Sequence, residues 1–445
     1  MQKRGSAARW KVGSMNRKEK AVALLAAVAV AIAAYNCYPY FERLSGDRRA
    51  GFSWLEVRRA MRGEPDHVVL TPAFDLSSSV AIAWRTSTFA SDGVVQFGSL
   101  MDGEEPRFEE KKAERIVPAF EQRSRGIAFV NHSVVLRDLL PGASYRYRVG
   151  SRERDTWSEY RTFSTAPESS ESFAFIYVGD TQMYPERVRR MLSDADRRHP
   201  ETEWYMIGGD LVDNGNDLSL WNAFFVELGE LFSCKPVAPV MGNHDHGFQS
   251  KNIGQSVFNA YFTLSDRDGK RLDGVANYGF RRGNAYFIML QLPDVGVQTE
   301  WLEKELRVAS ESGFDFITVM FHHPVYNVYK GRSNPEAEEL WVPLFDKYGV
   351  DLVLSGHDHS YMRSKRLRGG RPVAEGEPGT TYVVATGCEK FYDFVKLDIA
   401  ETQFTNTATY QLIVMKKDAD GFPMLVYQAR DASGKIVDEF TYVKR

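Results

Sequence analysis

The pattern of apolar and polar residues divides the chain into an all-β part and a part in which strands and helices alternate. Between residues 68 and 165, short segments such as 79–86 and 93–98 alternate apolar and polar residues, which is the period of a strand with one buried face. From residue 173 onward, apolar strand patterns are separated by helical patterns, of which the first covers 185–198. This order predicts a β-sandwich followed by a layered α/β domain.

The same patterns give the remaining elements and a domain plan. In the α/β part, further helices are expected at 218–231, 298–310 and 335–347, and strands at 173–178, 203–207, 237–241, 277–281, 285–292, 316–321, 350–354 and 381–386. The plan that follows is a connector over 41–66, a β-sandwich over 67–166, an α/β domain over 171–390 and a β-rich C-terminal extension over 391–445.

The first 40 residues have the pattern of an export segment. Seven cations lie in residues 1–20, and residues 21–34 are apolar. These fourteen apolar residues suit a signal peptide better than a spanning helix, which needs about 20. An uncleaved membrane anchor is the alternative, because residues 35–38 could extend the run and place aromatic rings at the membrane interface. Both alternatives predict a periplasmic, extracellular or membrane-anchored protein that faces outside the cytoplasm.

Composition and charge exclude several classes of protein. A net charge of −3 gives no electrostatic reason to expect a nucleic-acid partner. The chain has three cysteines and no C-x-x-C pair, which excludes a thiolate zinc cluster and a disulfide framework. A single Cys234–Cys388 bridge and two unpaired thiols both remain open. Histidine is more informative, since six of the nine histidines lie in the segments 244–246, 322–323 and 357–359.

The predicted sandwich resembles a fibronectin type III domain in two features. Trp84 stands where that domain has its buried strand tryptophan, and a Leu-Pro-Gly turn is followed by a strand that carries Tyr145 and Tyr147. Most such domains are spacers, so we assign this one no chemistry. His67 and His132 are expected to be ordinary surface or edge-strand residues.

Five predicted strands of the α/β domain end in side chains that can bind a metal. In chain order these are Asp180, Asp210, Asn243, His322 and the pair His357 and His359. The carboxyl ends of strands are where open α/β sheets bind ligands. A single aspartate there is usually a cap and a single histidine is usually structural, but a set in register predicts one shared site.

The mixture of donors indicates the metals and the reaction. Carboxylate, amide oxygen and imidazole together suit iron, manganese or zinc, whereas an all-oxygen set would suit magnesium or calcium. Six ligands are too many for one catalytic zinc, but two ions that share a bridging carboxylate accommodate them. Two metals about 3.5–4 Å apart activate a water and stabilise both oxygens of an in-line displacement, as phosphoryl transfer requires.

The motifs at these strand ends resemble those of the calcineurin-like metallophosphoesterase superfamily. They are Gly-Asp at 179–180, Gly-Asp at 209–210, Gly-Asn-His-Asp at 242–245, His-His-Pro at 322–324 and Gly-His-Asp-His at 356–359. The fibronectin-like domain narrows the resemblance to the purple acid phosphatases. The resemblance covers about residues 67–390 and implies a catalytic domain of two β-sheets flanked by helices.

The resemblance also implies a role for each residue. One metal would be held by Asp180, Asp210 and His359, and the other by Asp210, Asn243, His322 and His357, so that Asp210 bridges the two. His244, next to Asn243, resembles the family's general acid, which protonates the leaving alkoxide or steadies the phosphate. The nucleophile would be a metal-bound hydroxide.

Two positions depart from the family's patterns. Purple acid phosphatases have a tyrosine ligand three residues after the bridging aspartate, and this chain has Asp213 there, so we expect no tyrosinate colour. The other branch of the superfamily has Asp-x-His at the first motif, where this chain has Gln182. Gln182 or Asp213 could complete the shell of the first metal, Asp213 could instead lie behind the ligands or cap a helix, and His323 could bind metal or substrate.

The sequence therefore predicts a metal-dependent, acid-phosphatase-like enzyme that hydrolyses phosphate monoesters of small molecules. A phosphodiesterase or nucleotidase of the same superfamily is the nearest alternative, which the pocket loops 246–276 and 326–335 would decide. An inactive extracellular binding protein is a third alternative. It predicts lost ligands, and none of the core set is lost.

Overall fold

The computed structural model describes residues 61–100, 106–124, 127–168, 172–247, 251–268, 270, 272, 277–291 and 295–445. The predicted export segment or anchor over 1–40, and most of the connector that follows it, lie outside these residues. None of the helices in the described ranges is long and apolar enough to cross a membrane.

Two antiparallel sheets form the predicted sandwich. Their strands are β1 (Asp66–Pro72), β2 (Val80–Ser87), β3 (Gly93–Ser99), β4 (Glu109–Lys112), β5 (Arg115–Ser124), β6 (Ile127–Leu136), β7 (Ser144–Ser151), β8 (Thr156–Trp157) and β9 (Arg161–Ser164). One sheet has the order β1-β2-β6-β5, and the other has the order β4-β3-β7-β8 with β9 also paired to β7.

The interior of the sandwich follows the alternation seen in the sequence. Trp84 on β2 and Tyr147 on β7 are buried in its core, as predicted. The Tyr145 hydroxyl accepts a hydrogen bond from the Leu140 backbone N–H at 2.8 Å, which fixes the turn that leads into β7.

The expectation for the two sandwich histidines is correct in part, since His67 lies on the edge strand β1 but His132 lies on the inner strand β6. His132 is fully buried on β6, where its ring stacks on Trp84 with a centroid distance of 5.2 Å. His67 is also buried and stacks on Phe225 at 4.5 Å. Both imidazoles pack as flat, largely apolar bodies beneath other rings, which alternation along a strand does not reveal.

The second part of the chain contains the helices and the remaining strands. The helices are α1 (Pro185–Arg198), α2 (Leu218–Phe232), α3 (Lys251–Tyr261), α4 (Val295–Glu311) and α5 (Pro335–Tyr348). The strands are β10 (Ser172–Val178), β11 (Thr202–Ile207), β12 (Val237–Pro239), β13 (Tyr278–Arg282), β14 (Ala285–Met289), β15 (Phe316–Met320), β16 (Leu352–Ser355), β17 (Tyr361–Ser364), β18 (Leu367–Arg368), β19 (Arg371–Pro372), β20 (Thr381–Val384), β21 (Ala400–Phe404), β22 (Thr409–Lys417), β23 (Pro423–Asp431) and β24 (Ile436–Val443).

These strands form two large sheets and a small hairpin of β18 with β19. A six-stranded sheet has the order β12-β11-β10-β22-β23-β24, and a seven-stranded sheet has the order β13-β14-β15-β16-β20-β17-β21. Strands β10, β11 and β12 are parallel to one another, as are β14, β15, β16 and β20. The predicted fold of two sheets flanked by helices, preceded by an all-β sandwich, is confirmed.

Period-two alternation explains the layers. On β14, Phe287 contacts Phe175 and Trp204 of the six-stranded sheet, so this face lies in the core between the two sheets. Ile288, the next residue, lies in a second core with Leu302 of α4 and other residues of α4 and α5. Both faces of the strand are therefore apolar, as expected for a buried strand with layers on each side.

The C-terminal segment completes the core. Strand β22 pairs with β10, with Ile413 opposite Phe175, so the predicted β extension is built into the six-stranded sheet. Cys234 is exposed and Cys388 is buried, and both are free, so the structure does not contain the alternative disulfide.

Candidate metal centre

The metal-capable side chains follow the ends of parallel strands from both sheets. Asp180 lies two residues after β10, and Asp210 lies three residues after β11. His322 lies two residues after β15, and His357 lies two residues after β16. Because the two sheets face each other, these ends converge, and the structure brings the six predicted ligands together with His323.

One group of potential ligands consists of Asp180, Asp210 and His359. One ligand atom from each lies within 4.8 Å of the other two, and all three residues are buried. His359 Nε2 is 3.6 Å from Asp180 Oδ1. This is the set that the resemblance implied for the first metal.

A second group consists of His322, His323 and His357, whose ligand atoms also lie within 4.8 Å of one another. Asn243 Oδ1 is 3.2 Å from His322 Nε2 and 3.3 Å from His323 Nε2. Asp210 Oδ2 is 3.2 Å from His322 Nε2, so Asp210 joins the two groups. His323, for which the sequence left metal binding and substrate binding open, is therefore a member of this second group.

Backbone carbonyls select which histidine nitrogens face the centre. His322 Nδ1 is 2.8 Å from the Gly208 carbonyl, and His359 Nδ1 is 2.9 Å from the Lys390 carbonyl. A carbonyl only accepts hydrogen bonds, so each Nδ1 carries a proton and Nε2 is the nitrogen that can bind a metal. His357 presents Nδ1 instead, at 3.2 Å from His322 Nε2.

The electrostatics of the centre favour a cation. Burial raises the pKa of Asp180 to about 7. Burial also acts to raise the pKa of Asp210, but the His322 imidazolium outweighs it and lowers that pKa to about 2. Burial acts to lower the pKa of His322, yet the Asp210 carboxylate raises it to about 9. A proton on His322 therefore neutralises part of the negative charge of the two carboxylates. Two bound metal ions would supply this positive charge instead.

The donor set fits two metal ions. Two fully buried carboxylates need a counter-charge, and in the described part of the chain their ion pairs are with histidines alone. Burial and the His322 charge lower the pKa of His357, while burial and the Lys390 charge lower that of His359 to about 3. Neutral imidazole is the form that binds metal. The predicted two-metal cofactor is supported by these two groups.

Glycines precede several of the ligands because a side chain at these positions would collide with another ligand. A Cβ on Gly356 would lie 2.6 Å from Asp180 Oδ2, and one on Gly242 would overlap the Asp210 carboxylate. The Gly-Asn and Gly-His pairs of the sequence thus mark places where a ligand from another strand approaches the backbone.

Three predicted ligands have left-handed backbone conformations. The φ angles are 51° at Asp210, 72° at His357 and 49° at His359. Such conformations are uncommon for residues with a side chain and cluster at functional sites, where the surrounding contacts hold them.

The predicted acid lies at the edge of the centre. His244 Nε2 is 3.9 Å from Asp210 Oδ2, and its backbone N–H donates to Asp210 Oδ1 at 2.8 Å. Its Nδ1 donates to the Asp213 carbonyl at 2.7 Å, which leaves Nε2 on the side of the centre. About a fifth of the side chain is exposed, at 18%, so a substrate can reach it.

Gln182 and Asp213 lie beside the centre, and Asp213 belongs to neither ligand group. Gln182 Nε2 donates to Asp213 Oδ1 at 3.3 Å, and the same oxygen is 3.3 Å from His244 Nδ1. The Asp213 side chain is 46% exposed. The buried Oε1 of Gln182 has no hydrogen-bond partner among the described residues, whereas the Asp213 carboxylate is already occupied by its neighbours.

Two buried carboxylates were missed, although both lie inside the motifs. Asp245 accepts hydrogen bonds from the backbone N–H groups of Leu211, Val212 and Gly242 at 2.8, 3.1 and 2.9 Å. It therefore shapes the turns that carry Asp210 and Asn243. Its position inside a metal-binding motif, without a role as a ligand, is the signal from which it could have been identified.

The second is Asp358, between the two histidines of the last motif. Its carboxylate accepts from the Val328 N–H at 2.6 Å and pairs with Arg332 Nη1 at 2.9 Å. Arg332 Nη1 also donates to the His357 carbonyl at 2.6 Å. Loop 326–335, which could not be interpreted from sequence, is thereby attached to the turn that carries two ligands.

An aromatic residue covers part of the first group. The Tyr392 ring lies 4.7 Å from that of His359, and Arg332 and Lys390 lie 5.5 and 5.8 Å from its centroid. Nothing in the sequence indicated this contact, because Tyr392 follows a segment without a recognisable period.

Comparison with known proteins gives consistent results for both parts of the chain. A family model described as calcineurin-like phosphoesterase matches residues 173–361, and one described as purple acid phosphatase, N-terminal domain, matches residues 65–165. Purple acid phosphatase from yellow lupin seeds has a similar fold, with a TM-score of 0.70 and 17% identity over 85% of this chain and 74% of that one.

Relatives of similar sequence include both characterised and uncharacterised proteins. An uncharacterized protein of Mycobacterium tuberculosis is 27% identical over 73% of this chain and 67% of its own length. Purple acid phosphatase 15 of Arabidopsis thaliana is 25% identical over 70% and 66%, and the Fe(3+)-Zn(2+) purple acid phosphatase 12 of that plant is 26% identical over 68% and 66%. The chain spans about two thirds of the length of these relatives.

Proposed function

Since this chain is a metal-dependent phosphoesterase related to the purple acid phosphatases, we propose that it hydrolyses phosphate monoesters at a centre of two metal ions. The observation that carries the proposal is the pair of ligand groups joined by Asp210, with His244 at 3.9 Å from the shared carboxylate. A general acid beside two ligand groups is what ester hydrolysis requires.

We assign the ligands as follows. One ion would be held by Asp180, Asp210 and His359, and the other would be held by Asp210, Asn243, His322 and His357. When bound, the ions supply Lewis acidity toward the phosphoryl oxygens and a nucleophile derived from water. The protein residues fix the ligand geometry, through the carbonyls behind His322 and His359 and the backbone around Asp245.

His244 supplies the proton for the leaving group. Its Nδ1–H is held by the Asp213 carbonyl, so Nε2, which faces Asp210 and the open side of the centre, is the nitrogen from which a proton would be donated. The Asp213 carboxylate lies near the same nitrogen, with Oδ1 3.3 Å from Nδ1. After the proton has moved to the departing alkoxide, the neutral ring keeps the same bond to the carbonyl and recovers its proton from solvent.

The donors and the name of one relative support a choice among three metals. The mixture of oxygen and nitrogen ligands suits iron, zinc or manganese, and the name of the Arabidopsis relative specifies Fe(3+) and Zn(2+). The position at which purple acid phosphatases have their tyrosine ligand is Asp213 in this chain, and Asp213 lies outside the ligand groups. No tyrosinate ligand is therefore present at that position. We expect colourless protein, and a visible charge-transfer band in the purified enzyme would contradict the assignment.

His323 has two possible functions that one variant separates. Its Nε2 lies in the second ligand group, and burial lowers its pKa to about 3, so its ring is neutral. If His323 binds a metal, His323→Asn lowers the metal content. If it donates a hydrogen bond to the phosphate, the same variant keeps both metals and raises KM.

The function is tested on the purified full-length protein. Bound metals are measured by mass spectrometry, and activity is assayed on phosphate monoesters, diesters and pyrophosphates. We expect two metal equivalents and the highest kcat/KM for monoesters, whereas a preference for diesters would favour the phosphodiesterase alternative. His244→Ala should keep both metals and slow esters with poor leaving groups most.

His199→Ala is the matched control for that variant. His199 follows helix α1, away from the ligand groups, and pairs with Glu201 at 3.5 Å. It should leave activity unchanged. An equal loss of activity for all esters in His244→Ala would argue against the acid role. Export and membrane attachment remain predictions from residues 1–40.

A further inference from the structure

We propose that Trp221 is a positioning residue that holds His244 in place through the loop of residues 213–217, hereafter the acid loop. This inference rests on the proposed function of His244 as the general acid. It also gives the sandwich domain, which the sequence suggested to be a spacer, a part in the catalytic site.

The acid loop contacts His244 at two points. The Asp213 carbonyl accepts the proton of its ring Nδ1 at 2.7 Å, and the Gly215 N–H donates to its backbone carbonyl at 2.8 Å. The ring and the backbone of His244 are thus both held by residues two positions apart. A displacement of the acid loop would therefore turn the imidazole relative to Asp210.

Trp221 holds the acid loop from behind. It is fully buried near the start of α2, and its Nε1–H donates to the Gly215 carbonyl at 3.1 Å. The Gly215 peptide unit therefore lies between the indole on one side and His244 on the other. The space is tight, because a Cβ on Gly215 would overlap the backbone of Asp245.

The indole is in turn supported by the sandwich. Its ring contacts that of Tyr261 at the end of α3, with centroids 5.5 Å apart. The Tyr261 hydroxyl is 3.5 Å from Nη1 of Arg85 on β2, and Arg85 is buried and bonded to both carboxylate oxygens of Asp66 at 2.8 and 2.7 Å. A continuous series of buried contacts thus leads from the sandwich to the acid loop.

The hydrogen bond of the indole separates positioning from core packing. Trp204 on β11 is a suitable control, because it is equally buried and its Nε1 has no hydrogen-bond partner among the described residues. Replacing either tryptophan by phenylalanine removes a similar buried volume. Only Trp221→Phe also removes a bond to the acid loop.

The experiment compares Trp221→Phe with Trp204→Phe in the full-length protein on phenyl phosphate and 4-nitrophenyl phosphate. Phenolate is the poorer leaving group, so its departure depends more on the acid. We expect Trp221→Phe to lower kcat for phenyl phosphate about 5- to 10-fold more than for 4-nitrophenyl phosphate, as for the loss of one positioning hydrogen bond. Both variants should keep the metal content, and Trp204→Phe should affect the two esters equally.

Three results would overturn the inference. In the first, Trp221→Phe changes both esters equally although His244→Ala discriminates between them. In the second, Trp204→Phe discriminates as strongly as Trp221→Phe does. In the third, His244→Ala itself shows no discrimination, which refutes the acid role and the inference with it. If Trp221→Phe does not fold, benzothienylalanine at position 221 retains the ring shape without the N–H and gives the same test.

Discussion

Replacing Asp213 by alanine tests whether this residue supports the acid or binds a metal. The variant removes a carboxylate whose Oδ1 lies 3.3 Å from His244 Nδ1. It keeps the Asp213 backbone carbonyl, which accepts the stronger bond from the same nitrogen at 2.7 Å. The ring orientation of His244 should therefore survive, and only the contact of its ring with the Asp213 carboxylate should be lost.

The expected loss follows from the exposure of the pair. Asp213 is 46% exposed and the His244 side chain is 18% exposed, so water screens much of their attraction. Exposed ion pairs contribute up to about 1 kcal/mol, and partial burial raises that to about 1–2 kcal/mol. An effect of this size on proton donation by His244 changes kcat by at most about 5- to 30-fold.

The assay measures kcat for esters with good and poor leaving groups, together with metal content. We expect both metals to be retained and the loss to be larger for the poor leaving group. Asp213→Asn is the matched control, because it removes the charge but keeps a polar group of the same size, and it should lose a similar factor. A fall of a thousandfold or more in Asp213→Ala with loss of one metal would refute this reasoning, since it would identify Asp213 as a ligand.

The remaining predictions concern the shared ligand, a buried ion pair and acid stability. Asp210→Asn should abolish hydrolysis and lower the metal content, and normal activity would contradict the two-metal centre. Asp358→Ala should lower the free energy of unfolding by about 3–5 kcal/mol, because it removes the ion partner of Arg332 and leaves buried N–H groups without an acceptor. Urea titration tests this, and an unchanged midpoint would contradict it. Burial lowers the pKa of His132 to about 4, so the unfolded chain binds more protons below pH 6.5 and stability should fall as the pH drops toward 4. The part due to His132 is about 2 kcal/mol at pH 5, and His132→Gln should remove that part of the pH dependence measured by urea titration.

Much of the α/β fold could be predicted because its elements have strong local signals. Helix α1 was predicted over 185–198 and observed over Pro185–Arg198, since Pro185 suits the first turn and its apolar residues recur on one face. Helix α3 was missed. Its sequence includes a glycine and several polar residues, and its end is held by packing of Phe258 and Tyr261 against other rings. Tertiary contacts rather than local propensity make this segment helical.

The residue types of the candidate centre could also be predicted from the sequence. A strand that ends in Gly-Asp or Gly-His places a potential metal ligand at the edge of a sheet. Asp180 and His357 could therefore be assigned to a common site from the sequence alone. The sequence could not distinguish a ligand from a carboxylate that shapes a turn. Asp245 lies in a motif and accepts hydrogen bonds from the backbone, whereas Asp213 lies three residues after a motif and its carboxylate lies next to His244.

The sequence by itself determined which side chains reach the carboxyl ends of the strands, because period and spacing are local properties of the chain. Only the tertiary structure decided how those side chains are used. The two sheets bring the ends of β11 and β15 to the same edge of the core, so that Asp210 Oδ2 lies 3.2 Å from His322 Nε2. The tautomer of His322 depends on the carbonyl of Gly208, and the orientation of His244 depends on Asp213 and on Trp221 behind it. These contacts join residues that are distant in sequence, and their distances follow from how the layers pack.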